Sequence, residues 1–509
     1  MKLPKAFHPP LIAAFPILAL YRSNMALIPS ADLWVPLGIA VGAALLLWLV
    51  GALVLRDSAR GALAASVVAF WVLIYGHLER EAVSEAFSDY SFAWAWSVVG
   101  IGLLVLASWR WRCLDALTRL FNAMAATLTL IVVAGICLNV VQMRRDVASI
   151  KAGTAGAQSG MAKGATPPDF FYIILDGHGG VTALRNALNY DDAGFVKGLE
   201  DRGFYVAPQS HSNYVQTELS LASSLNMQFI PQLLPNIDLD SFDRAPLDTL
   251  ADRNELAARL GRAAYTYIAV TSGFPSLRFK SASLVARYEQ GLSLFESTLL
   301  DDLPFYAVGG TLESQYDDRR AQLRGAFRTL EGLAVPASRP RFVFVHILAP
   351  HPPFVFEPDG SAAPKLKGPY GFWDGSHFMS FGRTHKQYRD GYVGQVQYID
   401  KMTLRAVDAI LSHARTPPVI VIQGDHGSKM GLDQESVDRT DLHECFGILN
   451  AYHVPDEVRA KLYPTITPVN SFRVILDGLF GDQLPLLPDS SAYSTWSKPY
   501  RFVDVTGRT

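Results

Sequence analysis

The chain has 509 residues, half of them hydrophobic, and its 45 Lys and Arg residues are balanced by 47 Asp and Glu residues. A net charge of −2 offers no electrostatic footprint for nucleic acid, and we exclude that class of partner. The sequence contains three cysteines, and Cys445 is the only one beyond residue 143. A disulfide within the C-terminal part is therefore excluded as well.

The first 143 residues are strongly apolar and predict a transmembrane domain of about five helices. Two weaker candidate spans are Gly61–Leu78, which is short, and Pro10–Pro29, which Arg22 interrupts. The alternative is that these segments are buried helices of a soluble protein. Three further segments carry no charged residue and are each long enough to cross a bilayer: Leu33–Leu55, Tyr90–Trp109 and Leu120–Met143.

The basic residues in the short loops between these segments predict an orientation. Only Arg22 and Arg80 fall on the second side, together with several acidic residues. The basic side is expected to be cytoplasmic, which places the C-terminal domain outside the cytoplasm after five spans. The residues on that basic side are Lys2, Lys5, Arg56, Arg60, Arg110, Arg112 and Arg119.

Residues 144–168 are rich in Ala, Gly, Ser and Thr and predict a flexible linker. Residues 169–509 alternate between strand and helix patterns, which predicts an α/β fold with a doubly wound, mostly parallel sheet. The segment 356–384 is too long for a simple connection and is either an active-site or membrane-facing loop or a plain surface excursion. The predicted strands are 170–175, 265–270, 341–348, 418–423 and 446–452, and the predicted helices are 193–202, 217–226, 317–332, 394–413 and 470–480.

Two of the predicted strands end in a carboxylate. Asp176 follows strand 170–175, and the pair Asp425 and His426 follows strand 418–423. His346 and His351 belong to the edge reached by strand 341–348. Ligands of open α/β sheets bind beyond the carboxyl ends of the strands, so these side chains are expected to form one metal site.

A candidate nucleophile lies between these motifs. Thr217 stands where a polar loop enters a helix, close to the positive end of the helix dipole. The alternative role for such a threonine is that of an N-cap, which is the commoner one. Arg278 and Lys280 follow strand 265–270 and are either ligands of a phosphate oxygen or a solvated basic pair.

The order of the motifs resembles that of the alkaline phosphatase superfamily. The motifs are Tyr172-Ile173-Ile174-Leu175-Asp176-Gly177, Asn213-Tyr214-Val215-Gln216-Thr217, His351-Pro352-Pro353-Phe354 and Gly424-Asp425-His426-Gly427. The chain is most similar to the sulfatase-like branch that includes lipoteichoic acid synthase and the lipid A phosphoethanolamine transferases. Those enzymes also carry five membrane spans before an extracytoplasmic catalytic domain.

The resemblance implies roles for individual residues. Asp176, Asp425 and His426 match the metal ligands, and Thr217 matches a nucleophile whose oxygen also binds the metal. His351 matches a histidine that contacts the substrate or the leaving group. Asp176 departs from lipoteichoic acid synthase, which has Glu there, but Asp is usual elsewhere in the superfamily.

One divalent ion is expected, with Mn²⁺ or Zn²⁺ favoured over Mg²⁺ because three oxygen ligands join one imidazole. The second ligand set of the two-metal phosphatases has only partial candidates here, His346 and His443. His346 is assigned instead to substrate binding, with Arg278 and Lys280. The oligomeric state is not predicted.

The leading functional prediction is a membrane-anchored transferase of the bacterial inner membrane. It would move a phosphoglycerol or phosphoethanolamine group from a phospholipid to an envelope glycan or lipid, through a phosphorylated Thr217. The alternatives are a phosphodiesterase or phosphatase with water as the acceptor, and a non-catalytic envelope assembly protein. Sulfate ester hydrolysis through formylglycine is disfavoured, since Thr217-Glu218-Leu219-Ser220-Leu221 lacks the Cys/Ser-x-Pro-x-Arg motif.

Overall fold

The computed structural model divides the chain into two compact units. One unit comprises Met1–Arg144 and Gly291–Gln315, and the other comprises Arg145–Gln290 and Tyr316–Thr509. The predicted boundaries at 143/144 and 168/169 stay predictions. The residues that the structure describes are 6–23, 32–75, 89–109, 113–150, 167–271, 279–287, 299, 312–367 and 370–509.

In the first unit, helices occur at each of the five predicted spans, but only two are long and apolar enough to cross a membrane. Those two stretches are Trp34–Leu55 and Leu114–Val141. Large apolar side chains of the first stretch face outward, with Leu46, Leu53 and Val54 more than 60% exposed (61%, 69% and 74%). The five-span count therefore remains a prediction. The helices are α1 (His8–Ser23), α2 (Trp34–Leu55), α3 (Ser58–Leu73), α4 (Asp89–Ser108) and α5 (Leu114–Ile150).

The second unit is built on a seven-stranded mixed sheet. The strand order is β2-β7-β6-β1-β5-β3-β4, and β7 alone runs antiparallel to its neighbours. The predicted mostly parallel α/β sheet is thus confirmed. The strands are β1 (Phe170–Leu175), β2 (Tyr205–Val206), β3 (Thr266–Thr271), β4 (Leu284–Arg287), β5 (Arg341–Ile347), β6 (Val419–Gln423) and β7 (Asn450–His453), and a separate pair is formed by β8 (Ala492–Tyr493) and β9 (Val503–Asp504).

Helices cover both faces of this sheet. All six residues of β1 are buried, as expected for an apolar run at the centre of a parallel sheet. Phe171, Ile173 and Leu175 belong to one apolar core and the alternate residues to the other. The helices are α6 (Val181–Leu188), α7 (Ala193–Glu200), α8 (Thr217–Asn226), α9 (Ile230–Leu233), α10 (Ala245–Asp252), α11 (Glu255–Arg262), α12 (Leu312–Gly332), α13 (Gly375–Met379), α14 (His385–His413), α15 (Leu442–Phe446), α16 (Asp456–Arg459) and α17 (Pro468–Phe480).

One predicted strand is partly wrong. The segment 446–452 was expected to be extended throughout, but α15 occupies 442–446 and β7 begins at Asn450. The carboxylate of Asp441 caps this short helix by accepting a hydrogen bond from Glu444 N at 3.0 Å. A polar cap just before an apolar run therefore favours a helical turn over an extended start.

Candidate metal and nucleophile site

The central strands bring the predicted site residues to one edge of the sheet. In the parallel register, Ile174 of β1 pairs with His346 of β5 and with Gln423 of β6. Asp176 and Asp425 each lie two residues beyond these positions, so both extend from the same carboxyl edge. The main chain of Asp176 is fixed on both sides, because its N–H donates to Ile347 O and its carbonyl accepts from His351 N, each at 2.9 Å.

Carboxylates and imidazoles converge there. One ligand atom from each of Asp176, His346 and Asp425 lies within 4.8 Å of the others, and all three residues are buried. His346 Nε2 is 3.0 Å from Asp176 Oδ2. Asp425 Oδ1 accepts from Gly177 N at 3.0 Å, and Gly177 has a φ of +78°, which favours glycine in the turn after β1.

His426 points a nitrogen lone pair at the same group. Its Nδ1 lies 2.9 Å from the carbonyl oxygen of Gly427, so we assign the proton to Nδ1. The unprotonated Nε2 then faces Asp425 Oδ2 at 3.3 Å and Asp176 Oδ1 at 3.4 Å. A neutral imidazole oriented by a backbone carbonyl is the usual form of a metal-binding histidine.

Thr217 completes the cluster. Its Oγ1 lies 3.2 Å from His426 Nε2, and the residue is 4% exposed. Thr217 is the first residue of α8, whose N-cap is Gln216, so the N-cap alternative does not describe this threonine. Ser220, one turn later, donates to the carbonyl oxygen of Asp425 at 2.6 Å and ties α8 to the end of β6.

The residues present fit a divalent ion. Asp176 Oδ1 and Asp425 Oδ2 are buried oxygens without a hydrogen-bond partner among the described residues, and both face His426 Nε2. Burial opposes ionisation of Asp176, but His351, His346 and His426 hold the pKa of its carboxyl well below the usual range. Unsatisfied buried carboxylate oxygens are costly unless a cation compensates them. An ion held by Asp176, Asp425, His426 and Thr217 would satisfy these oxygens.

His351 lies beside this group as a cation. Its Nδ1 is 2.6 Å from Pro352 O and its Nε2 is 3.1 Å from Asp374 Oδ2. Both partners are acceptors, so both ring nitrogens donate and the imidazole is protonated. Burial opposes this form, yet the charges of Asp176 and Asp374 raise the pKa of His351.

The other predicted substrate ligands are placed differently. His346 is a buried residue of β5 and joins the metal-binding group through Asp176. Lys280 is exposed, and the contacts of the site within the described residues do not include it. Arg278 lies outside the described residues, so its predicted role stays a prediction.

Sequence reasoning missed two charged residues of the site. Asp374, from the long segment 356–384, contacts both His351 and Lys429. Lys429 is three residues beyond His426 and only 6% exposed. The burial of a lysine directly after the Gly424-Asp425-His426-Gly427 motif was the available signal, but a single sequence does not reveal burial.

A second buried cluster lies behind the turn that follows β1. His178 Nε2 is 2.9 Å from Asp400 Oδ1 and 3.9 Å from Asp192 Oδ2. Burial, with a further contribution from Asp400, raises the pKa of Asp192 to about 8, and burial raises the pKa of Asp400 as well. The two carboxyls, called here the Asp192–Asp400 pair, therefore share a proton at neutral pH.

Comparison with protein families gives one match. Residues 290–461, about a third of the chain, match the family model described as Sulfatase. This segment contains Asp425, His426, His351 and Lys429 but neither Asp176 nor Thr217. The match confirms the predicted resemblance to the sulfatase-like branch and the prediction of an enzyme of the alkaline phosphatase superfamily.

Solved structures with similar folds include three enzymes. The C-terminal periplasmic domain of EptC from Escherichia coli, in complex with Zn, is 11% identical over 69% of this chain and 96% of that one, with a TM-score of 0.46. Lipooligosaccharide phosphoethanolamine transferase A (EptA) from Neisseria meningitidis is 13% identical over 93% and 94%, with a TM-score of 0.41. A phosphonate monoester hydrolase from Agrobacterium radiobacter is 14% identical over 64% and 80%, also with a TM-score of 0.41. A search of curated proteins gave no match.

Proposed function

We propose that this chain is a metal-dependent transferase that moves a phosphoglycerol or phosphoethanolamine group from a phospholipid to an envelope glycan or lipid, with Thr217 as the nucleophile. The observation that carries the proposal is the position of Thr217 Oγ1. It lies 3.2 Å from His426 Nε2, the same atom that faces the unsatisfied oxygens of Asp176 and Asp425. A nucleophile beside a vacant set of hard oxygen donors supports metal-assisted phosphoryl chemistry.

The chemistry follows from these residues. A divalent ion bound by Asp176, Asp425, His426 and Thr217 would stabilise the threonine alkoxide and the charge on the phosphoryl oxygens. The Thr217 oxygen then forms a bond to phosphorus while the bond to the lipid alcohol breaks. An acceptor hydroxyl attacks the phosphothreonine in turn, and the proton it releases balances the one taken up by the departing lipid alcohol. The imidazolium of His351 contributes positive charge beside the reacting group.

A lipid donor is supported by the N-terminal unit. Two of its helices are long and apolar enough to span a bilayer, and large apolar side chains of α2 are exposed. We extend this to five spans with a cytoplasmic N-terminus and an extracytoplasmic catalytic domain, following the charge bias of the loops. Phosphatase reporters test the topology: a fusion after residue 509 should be active and one after Arg60 inactive, and the opposite pattern would contradict it.

The nucleophile is tested by mass spectrometry. The full-length protein, loaded with Mn²⁺ or Zn²⁺, is incubated separately with phosphatidylethanolamine and phosphatidylglycerol and then digested. We expect the Thr217 peptide to gain the mass of one transferred headgroup, which also identifies the donor. Thr217→Ala should gain none. Thr249→Ala is the matched control, because the hydroxyl of Thr249 makes only a local helical hydrogen bond, to Ala245 O.

Different outcomes separate the candidate reactions. Modification of Thr217 followed by release to water alone, even with envelope lipids present, would identify a hydrolase. An unmodified Thr217 in a protein that still turns over phosphodiesters would contradict the proposed intermediate.

A further inference from the structure

A single carboxylate bridges two buried cations next to the metal-binding group. Asp374 Oδ2 lies 3.1 Å from His351 Nε2 and 3.0 Å from Lys429 Nζ. All three residues are less than a tenth exposed, at 7%, 6% and 6%. Asp374 immediately precedes α13, so part of the long segment 356–384 reaches into the site.

The charges of this trio do not cancel. His351 and Lys429 each carry a positive charge, and Asp374 carries one negative charge whose pKa is held below its usual range by Lys429 and His351 despite burial. Within the described residues, Asp374 is the only carboxylate within ion-pairing distance of Lys429. A buried surplus positive charge is costly unless an anion compensates it. The trio is therefore complementary to an anionic ligand.

The surrounding contacts fix this geometry. Gln434 Nε2 donates to the second oxygen of Asp374, and Gln434 N donates to Ser376 Oγ at 3.1 Å. The loop that carries Lys429 is held by the buried carboxyl of Glu444, which accepts from Ser428 Oγ at 2.6 Å and from the N–H groups of the following residues. The two segments that present Asp374 and Lys429 are thus anchored independently.

Lys429 also lies within electrostatic reach of the metal-binding carboxylates. Burial opposes its charge, but Asp374, Asp176 and Asp425 together raise the pKa of the Lys429 ammonium. An ammonium has three N–H donors, and Asp374 takes one of them. A tetrahedral oxyanion held between Thr217 and the metal-binding carboxylates would lie on this side of the site.

We infer that Asp374 is a positioning residue that holds His351 and Lys429 as neighbouring cations, so that the Lys429 ammonium binds an anionic oxygen of the substrate phosphoryl group. This inference rests on the proposed function for the identity of the anion. It assigns a role to the segment 356–384, which the sequence left open between an active-site loop and a surface excursion.

The test measures binding of inorganic phosphate to the metal-loaded, full-length protein by calorimetry. Lys429→Met removes the charge at similar length, and Asp374→Asn removes the bridging charge with little change in shape. We expect each to weaken phosphate binding by about 10- to 100-fold, the value of a charge-assisted hydrogen bond. Asp390→Asn is the control, since Asp390 pairs with Lys386 on the exposed surface of α14 and should change binding by less than about twofold.

The double variant tests positioning. If Asp374 acts through Lys429, Lys429→Met should add little to Asp374→Asn, and the coupling should exceed the roughly twofold error of additivity. With bis(p-nitrophenyl) phosphate as substrate, Lys429→Met should raise KM, and Lys429→Arg should recover part of the loss only when Asp374 is present. If Asp374→Asn fails to fold, Lys429→Met decides alone, since it leaves the Asp374–His351 pair intact.

The outcomes are distinguishable. Phosphate binding that is unchanged in Lys429→Met, or effects of the two substitutions that simply add, would overturn the inference even if Thr217 is modified by lipid. Phosphate binding that depends on Lys429 and Asp374 in a protein without Thr217 modification would support the inference while the proposed nucleophile fails. Wild-type protein that binds no phosphate would also overturn the inference.

Discussion

The turn after β1 separates two buried clusters of the same composition, carboxylates and a histidine, that behave differently. On one side, Asp176 Oδ1 and Asp425 Oδ2 have no hydrogen-bond partner among the described residues, and the lone pair of His426 faces them. On the other side, the Asp192–Asp400 pair and His178 satisfy one another. Side-chain composition alone does not distinguish a metal site from a proton-sharing pair. The difference lies in whether the buried donors and acceptors are already paired.

The largest effect is expected at Thr217. Thr217→Ala removes the nucleophile of the first cluster, so phosphodiester turnover should fall by several orders of magnitude. Stability should change by only about 1 kcal/mol, because one hydrogen bond is lost. Thr217→Ser should keep measurable activity, since the hydroxyl survives. The measurement is kcat/KM alongside thermal unfolding; near wild-type turnover by Thr217→Ala would remove the distinction between the clusters.

The Asp192–Asp400 pair should make stability depend on pH. The pKa of Asp192 is about 8 in the folded protein, against an ordinary value of 3.8. Between these values the folded protein holds a proton that the unfolded chain releases, so stability is greatest below about pH 4 and falls as pH rises towards 8. The facing groups are Asp400 from α14, His178 from the turn after β1, and the hydroxyl of Tyr190.

Asp192→Asn removes this titration. The variant should gain stability relative to the wild type as pH rises from 5 to 8, by an amount on the order of 2 kcal/mol, since one pKa unit corresponds to about 1.4 kcal/mol and buried sites relax. Unfolding temperatures of both proteins in detergent at the two pH values provide the check. A difference that stays constant with pH would mean that the pair holds no shared proton.

The smallest effect is expected for an exposed carboxylate. Asp390 lies on the surface of α14 and pairs with Lys386 one turn away. Asp390→Asn should change stability by less than about 0.5 kcal/mol and leave activity and metal content unaltered. A large effect of this substitution would show that burial does not govern the contrast between the clusters.

Much of the fold was predictable because it depends on local patterns. The apolar runs at 170–175 and 418–423 predicted β1 and β6 within one residue, and α8 begins and ends where the helix 217–226 was predicted. The strand ends then predicted where Asp176 and Asp425 would meet, because parallel strands in register share an edge.

The rest depends on contacts between distant segments. Asp374 meets Lys429, and Asp192 meets Asp400, only after the long segment 356–384 and helix α14 have packed. No periodicity or motif marks such partners. The same holds for α15, where a cap at Asp441 replaces the first residues of a predicted strand.

Metal content tests the central claim most directly. Full-length wild type, Asp425→Asn, His426→Ala and Asp400→Asn would be purified with Mn²⁺ or Zn²⁺, dialysed and measured by elemental analysis against protein concentration. The account predicts about one ion per chain in the wild type and in Asp400→Asn, and close to none in Asp425→Asn and His426→Ala. Full metal content in Asp425→Asn, or its loss in Asp400→Asn, would contradict the assignment of the ion to the unsatisfied cluster.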